Sequence, residues 1–216
     1  MREPFIEAES SSRIGRSRAA QVARWFGLER SRPLHLLAPV GLELPGAGQI
    51  LLISGASGAG KSTLLRKLAA RLPRRRRIDL QLLRLPRGPL CGCLRGLELR
   101  PTLEALSRVG LAEATVFVRP ARQLSVGQQW RLRLALALHR AGAMAGGVCL
   151  LADEFAAVLD DVSAAVAARA LRRAVSTQPR LCAIVASARD DLEAALCPDV
   201  VVRCDFGQWT VHRGGR

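Results

Sequence analysis

Nine consecutive residues, Gly55-Ala56-Ser57-Gly58-Ala59-Gly60-Lys61-Ser62-Thr63, have the types and spacing that phosphate chemistry requires. They fit the pattern G-x-x-x-x-G-K-[ST]. Its glycines let successive backbone N–H groups turn inward around phosphate oxygens, where a side chain would obstruct them. Lys61 then reaches the β- and γ-phosphates, and the Ser62 hydroxyl becomes a ligand for Mg²⁺. Such a loop works only between a strand and a helix, and both are legible. Gln49 to Ser54 is an apolar run long enough for a buried strand and too short for a helix. Leu64, Leu65, Leu68 and Leu72 recur at helical spacing until Pro73 closes the helix. The helix N-terminus adds its dipole to the anion site. The stretch predicts a site for a nucleoside triphosphate with Mg²⁺, lined by all nine residues.

An acidic pair supplies the complementary chemistry. Gly147 to Ala152 is an apolar run that delivers Asp153-Glu154 at a strand end. There the Asp153 carboxylate can hold Mg²⁺, directly or through water. Glu154 can orient and deprotonate an attacking water. A third stretch, Arg122-Gln123-Leu124-Ser125-Val126-Gly127-Gln128-Gln129, puts small and polar residues in front of a helix with Leu134, Ala135 and Leu138 on one face. That order is again an anion site at a helix N-terminus.

This third stretch resembles the signature motif (LSGGQ) of ABC-type ATPases, with Val126 at one of its small positions. Asp153-Glu154 follows Ser125 by 28 residues, which resembles the family's spacing. Phe155 to Asp160 resembles its D-loop, with Asp160 six positions after Glu154. The resemblance covers about residues 35 to 206. It implies an α/β P-loop NTPase fold: a largely parallel sheet flanked by helices, with a small antiparallel entry and a compressed helical subdomain at Pro101 to Arg122. It also implies two chains sandwiching two ATP molecules. Ser125, Gly127 and Gln128 of one chain would face the γ-phosphate held by the other, and Asp160 would line the dimer interface. Within the family the chain is most similar to short soluble bacterial ATPases, some of them fused to a predicted acetyltransferase domain.

Three departures from the family pattern stand out. Its switch histidine falls at Ala188 in Ala186-Ser187-Ala188-Arg189-Asp190, and none of His35, His139 and His212 is near that position. The glutamine of its Q-loop is missing, since Gln81 lies inside a strand pattern. The chain has no tyrosine, so adenine stacking falls to Trp25, Phe26 or nothing, and at those two residues ordinary core packing is expected. Binding should survive these departures, while hydrolysis should be slow unless Ser187 or Arg189 replaces the histidine.

The remaining elements follow from periodicity. Residues 1–17 read as a mobile basic arm, and 18–216 as one ATPase domain. Arg18 to Leu28 forms a short helix with Val22, Trp25 and Phe26 on one side. His35 to Leu44 alternates loosely into an antiparallel entry, and Ile78 to Leu85 is a strand. Pro86 to Arg100 is a loop, Thr102 to Val109 and the stretch after Gly127 are helical. Val162 to Val175 is a helix, Leu181 to Ala186 a buried strand, Asp190 to Leu196 a short helix, and Val200 to Val202 a last central strand.

Bulk composition narrows the context. Lys+Arg is 33 against Asp+Glu 18, for a net charge of +15. Lys61 and Lys67 are the only lysines, which points to a GC-rich coding sequence more than to selection for phosphate contacts. Cys149 and Cys182 lie in apolar runs as small buried hydrophobes, and Cys91-Gly-Cys93 has no partner pair at zinc spacing. Together these suggest a reducing cytoplasm. Glu3, Glu7 and Glu9 occupy the place of a signal peptide's apolar region. The longest apolar run, Ala141 to Ala152, falls short of the ~20 residues a membrane span needs. Three roles for ATP follow: a soluble ATPase acting on nucleic acid or a protein, the ATP-binding subunit of a transporter, or a nucleotide-gated dimerisation module with little turnover.

Overall fold

The computed structural model describes residues 18–27, 41–205 and 208–214. The chain divides into two units, Met1–His35 and Leu36–Arg216. In the first, α1 (Arg18–Trp25) presents its aromatic end to solvent: Trp25 is 78% and Phe26 74% exposed. Core packing for these two residues is therefore overturned. The arm at 1–17 lies outside the described residues.

In the second unit the apolar runs become a six-stranded sheet in the order β2-β3-β4-β1-β5-β6. The strands are β1 (Ile50–Gly55), β2 (Arg77–Asp79), β3 (Val148–Ala152), β4 (Leu181–Ser187), β5 (Val200–Asp205) and β6 (Gln208–Arg213). The first five pair in parallel. Helices cover both faces, so β1, β3 and β4 read as unbroken apolar runs rather than as alternating patterns. Alternate residues nonetheless divide between two cores. Ile50 and Leu52 join the one that contains Leu132 and Leu171, from α5 (Val126–Gly142) and α6 (Asp161–Thr177). Leu51 and Ile53 join the one that contains Leu64, Leu65 and Leu68, from α2 (Lys61–Ala70). The first core also takes up α7 (Leu192–Leu196), with α3 (Leu99–Arg108) and α4 (Ala114–Phe117) forming the short helical insert before α5.

Arg172 of α6 locks the N-terminal edge of the sheet. It bonds the half-buried Asp199 carboxylate at 2.9 Å and the Gly48 carbonyl at 2.7 Å, while Asp199 also accepts from the Ile50 amide at 2.8 Å. The antiparallel component comes from β6, paired with β5, at the opposite end of the chain from the expected entry. Of that entry, residues 35–40 lie outside the described residues and 41–44 carry no strand. The strand expected over Ile78 to Leu85 ends at Asp79. There the Asp79 carboxylate accepts the Gln81 amide at 2.9 Å and turns the chain out of the sheet.

Candidate nucleotide site

The phosphate loop leaves the sheet at Gly55, and only glycine fits there. A side chain at its φ of 140° would drive into the Cys204 carbonyl of neighbouring β5. Gly60 closes the loop in the left-handed region, at φ 93°, and starts α2 with no side-chain cap. The first-turn amides of α2, from Lys61, Ser62 and Thr63, therefore point toward the loop as donors for an acceptor. Lys61 folds back across the loop, its Nζ donating to the Ala56 carbonyl at 2.7 Å.

Opposite the start of α2, Asp153 follows directly on the end of β3. The Ser62 hydroxyl donates to Asp153 Oδ1 at 3.0 Å, joining two parts of the chain 91 residues apart. A hydroxyl and a carboxylate held together at a strand end are the hard oxygen donors Mg²⁺ prefers, and Ser62 and Asp153 fit that ion. Asp153 Oδ1 also accepts the Glu154 amide at 3.1 Å, while the exposed Glu154 carboxylate has no partner among the described residues. Glu154 and Ala156 have φ of 47° and 58°, a region non-glycine residues seldom enter. The surrounding structure holds that turn. Phe155 is fully buried, donates its amide to the Ala186 carbonyl at 2.8 Å, and meets Trp130 of α5 edge-on at 5.0 Å.

Gln81 also reaches this cluster. Its Nε2 donates to the Asp153 carbonyl at 3.3 Å. The expectation that a glutamine is missing here is thereby corrected: once Asp79 ends β2, Gln81 belongs to a turn beside the acidic pair. The Asp79-x-Gln81 Asx turn was the signal in the sequence.

Ser125 caps α5. Its hydroxyl accepts the Gln128 amide at 3.2 Å while Gln128 Oε1 accepts the Ser125 amide at 3.0 Å, a reciprocal capping box. Gly127 faces Leu159, so this loop abuts the segment leading to Asp160. Asp160 in turn caps α6 by accepting the Ser163 amide at 2.9 Å, a bond that lowers its pKa below the usual carboxylate value. No hydrogen bond joins Ser125, Gly127, Gln128 or Asp160 to the phosphate loop. The described residues thus form two groups: residues 55–63 with Gln81, Asp153 and Glu154, and Ser125, Gly127 and Gln128 with Leu159 and Asp160.

Neither neighbour of Ala188 is free to replace a histidine. Ser187 is buried, and its hydroxyl donates to the Phe155 carbonyl at 3.2 Å. Arg189 donates to the Leu159 carbonyl at 2.7 Å, to Asp161 at 2.5 Å and, through two nitrogens, to Asp191 at 3.0 and 2.7 Å. These carboxylates hold its guanidinium pKa above the ordinary value.

No protein-family model and no curated protein matches this sequence. Solved structures do match. CbiO1 from Clostridium perfringens, part of the ABC transporter complex CbiONQ, superposes with a TM-score of 0.56 at 19% identity over 79% of each chain. The ATP-binding cassette MJ0796, in a dimeric post-hydrolysis state bound to ADP and Pi, gives 0.58 at 19% identity, over 80% of this chain and 88% of that one. The ADP conformation of MJ1267, an ATP-binding cassette of an ABC transporter, gives 0.55 at 17% identity, over 78% and 81%. The chain has the ATP-binding cassette fold.

Proposed function

We propose that this chain binds MgATP and hydrolyses it to ADP and phosphate as a dimer of two copies sandwiching the nucleotides. The bond between Ser62 and Asp153 carries the reading, because it brings the expected metal ligands together at the mouth of the phosphate loop. Lys61 and the first-turn amides of α2 bind the phosphates. Gln81, donating to the Asp153 carbonyl, and the Glu154 amide, donating to the Asp153 carboxylate, fix the backbone of Glu154, whose carboxylate takes the proton of the attacking water. Mg²⁺, when held by Ser62 and Asp153, would neutralise charge on the phosphate oxygens. Ser125 and Gly127, which make no hydrogen bond to their own loop among the described residues, act on the partner copy's ATP. The same face carries exposed Val126, Val158 and Val162, apolar surface that a sandwich would cover. Positioning and charge stabilisation supply most of the catalysis. With Ser187 and Arg189 committed elsewhere, one contact to the γ-phosphate is absent, which slows turnover by ~10²–10³.

For the role of ATP, a soluble ATPase acting on an anionic partner is supported by exposed Arg74, Arg75 and Arg76, none paired with an acid among the described residues. Gln81 supports a second reading, the ATP-binding subunit of a transporter. Its side chain bonds the Asp153 carbonyl beside the acidic pair, and Leu82 next to it is 79% exposed, as a coupling surface for a membrane partner would be. Phosphate release measured alone, with DNA or RNA, and with vesicles bearing a permease separates the two. The core proposal predicts that Lys61→Ala abolishes binding of a fluorescent ATP analogue at an unchanged melting temperature, and that Glu154→Gln stops phosphate release. Unchanged affinity in Lys61→Ala would remove it.

A further inference from the structure

A groove of about 710 Å³ lies between the C-terminal halves of α5 and α6, under the end of α3. Its size suits a small-molecule site. Ala135, Leu138, Val109 and Ala170 give it an apolar floor. Three arginines, Arg108, Arg169 and Arg173, edge it, and no carboxylate lines it. None of the three guanidinium groups has a hydrogen bond or ion pair among the described residues, whereas that of Arg172 between them is fully engaged with Asp199, Gly48 and Cys197. Inside the groove, Gln178 Oε1 is buried without a donor. A buried acceptor left unpaired costs free energy that a ligand donor can recover.

We propose that this groove is a second ligand site, for a small amphipathic anion with an acyl or aryl body, one carboxylate or phosphate, and a hydrogen-bond donor. The body covers the apolar floor, the anion pairs with the arginine edge, and the donor satisfies Gln178. The site is separate from the phosphate loop and stands whether or not the chain hydrolyses ATP. It lies between the two helices whose N-caps are Ser125 and Asp160, so a bound ligand sits against both elements of the sandwich face.

N-octanoylglycine has all three features and tests the site by isothermal titration of the full chain. It should bind the wild type saturably, while the uncharged N-octanoylglycinamide should bind at least about tenfold more weakly. Arg169→Ser with Arg173→Ser removes two exposed cations and no core contact, and should weaken N-octanoylglycine by about tenfold or more at an unchanged melting temperature. Lys61→Ala should leave that affinity untouched, which keeps this result independent of the nucleotide reading. The proposal is overturned by absence of binding at millimolar ligand, by equal affinity for the uncharged analogue, or by indifference to the arginine substitutions. Retention on phosphatidylglycerol vesicles with no affinity for the free acid would also overturn it, making the arginine edge a lipid-contact surface.

Discussion

Arg189 shows how one side chain can exclude a mechanism. A guanidinium next to Ala188 looks like a natural substitute for a missing γ-phosphate contact. Its donors instead tie the end of β4 to Leu159, Asp161 and Asp191. Ser187 is spent on the Phe155 carbonyl. On the proposed reading, position 188 therefore lacks a γ-phosphate contact that a substitution could restore. Ala188→His is expected to raise kcat with little change in the affinity for ATP, the pattern of an interaction made only in the transition state. Steady-state phosphate release beside equilibrium ATP binding checks this, and a brisk wild type indifferent to the substitution would contradict it. Arg189→Ala is expected to lower the melting temperature, because it frees the Leu159 carbonyl and two carboxylates at once. None of these partners was legible in the sequence, since contacts between loops at 154–161 and 187–191 depend on how β3 and β4 lie side by side. Gln81 was misread for a similar reason: its alternating neighbours look like a strand, while the Asp79 turn that ends β2 is a single side-chain bond.

Among the elements, those buried on both faces were the most legible. β1, β3 and β4 are runs of apolar residues with nothing exposed to interrupt them, and α5 and α6 follow as amphipathic helices. Edge elements were not. β2 has one partner strand and three residues, and β6 is largely exposed, so burial left no pattern to read in either. α5 also permits a clean separation of structure from function, because Ser125 is both its N-cap and the residue assigned to the partner's phosphate. Ser125→Ala removes the cap and should cost about 1 kcal/mol. Ser125→Asp keeps a capping oxygen but sets a negative charge against the γ-phosphate. It should melt near the wild type and fail to dimerise with ATP. Thermal melts paired with sedimentation test this, and an aspartate variant that dimerises normally would remove Ser125 from the interface.

At the scale of the whole molecule, the proposed sandwich makes one chain hold both halves of a site without joining them. The phosphate loop, Gln81, Asp153 and Glu154 form one group, and Ser125, Gly127 and Asp160 form another beside exposed Val126, Val158 and Val162. A second copy in head-to-tail orientation would complete both sites at once, which makes association depend on the γ-phosphate. Light scattering of Glu154→Gln tests this most directly, since the substitution keeps the shape of the side chain and blocks hydrolysis. With saturating MgATP the variant should run as a dimer, and with MgADP as a monomer. A monomer in MgATP, or a dimer indifferent to which nucleotide is bound, would contradict the sandwich.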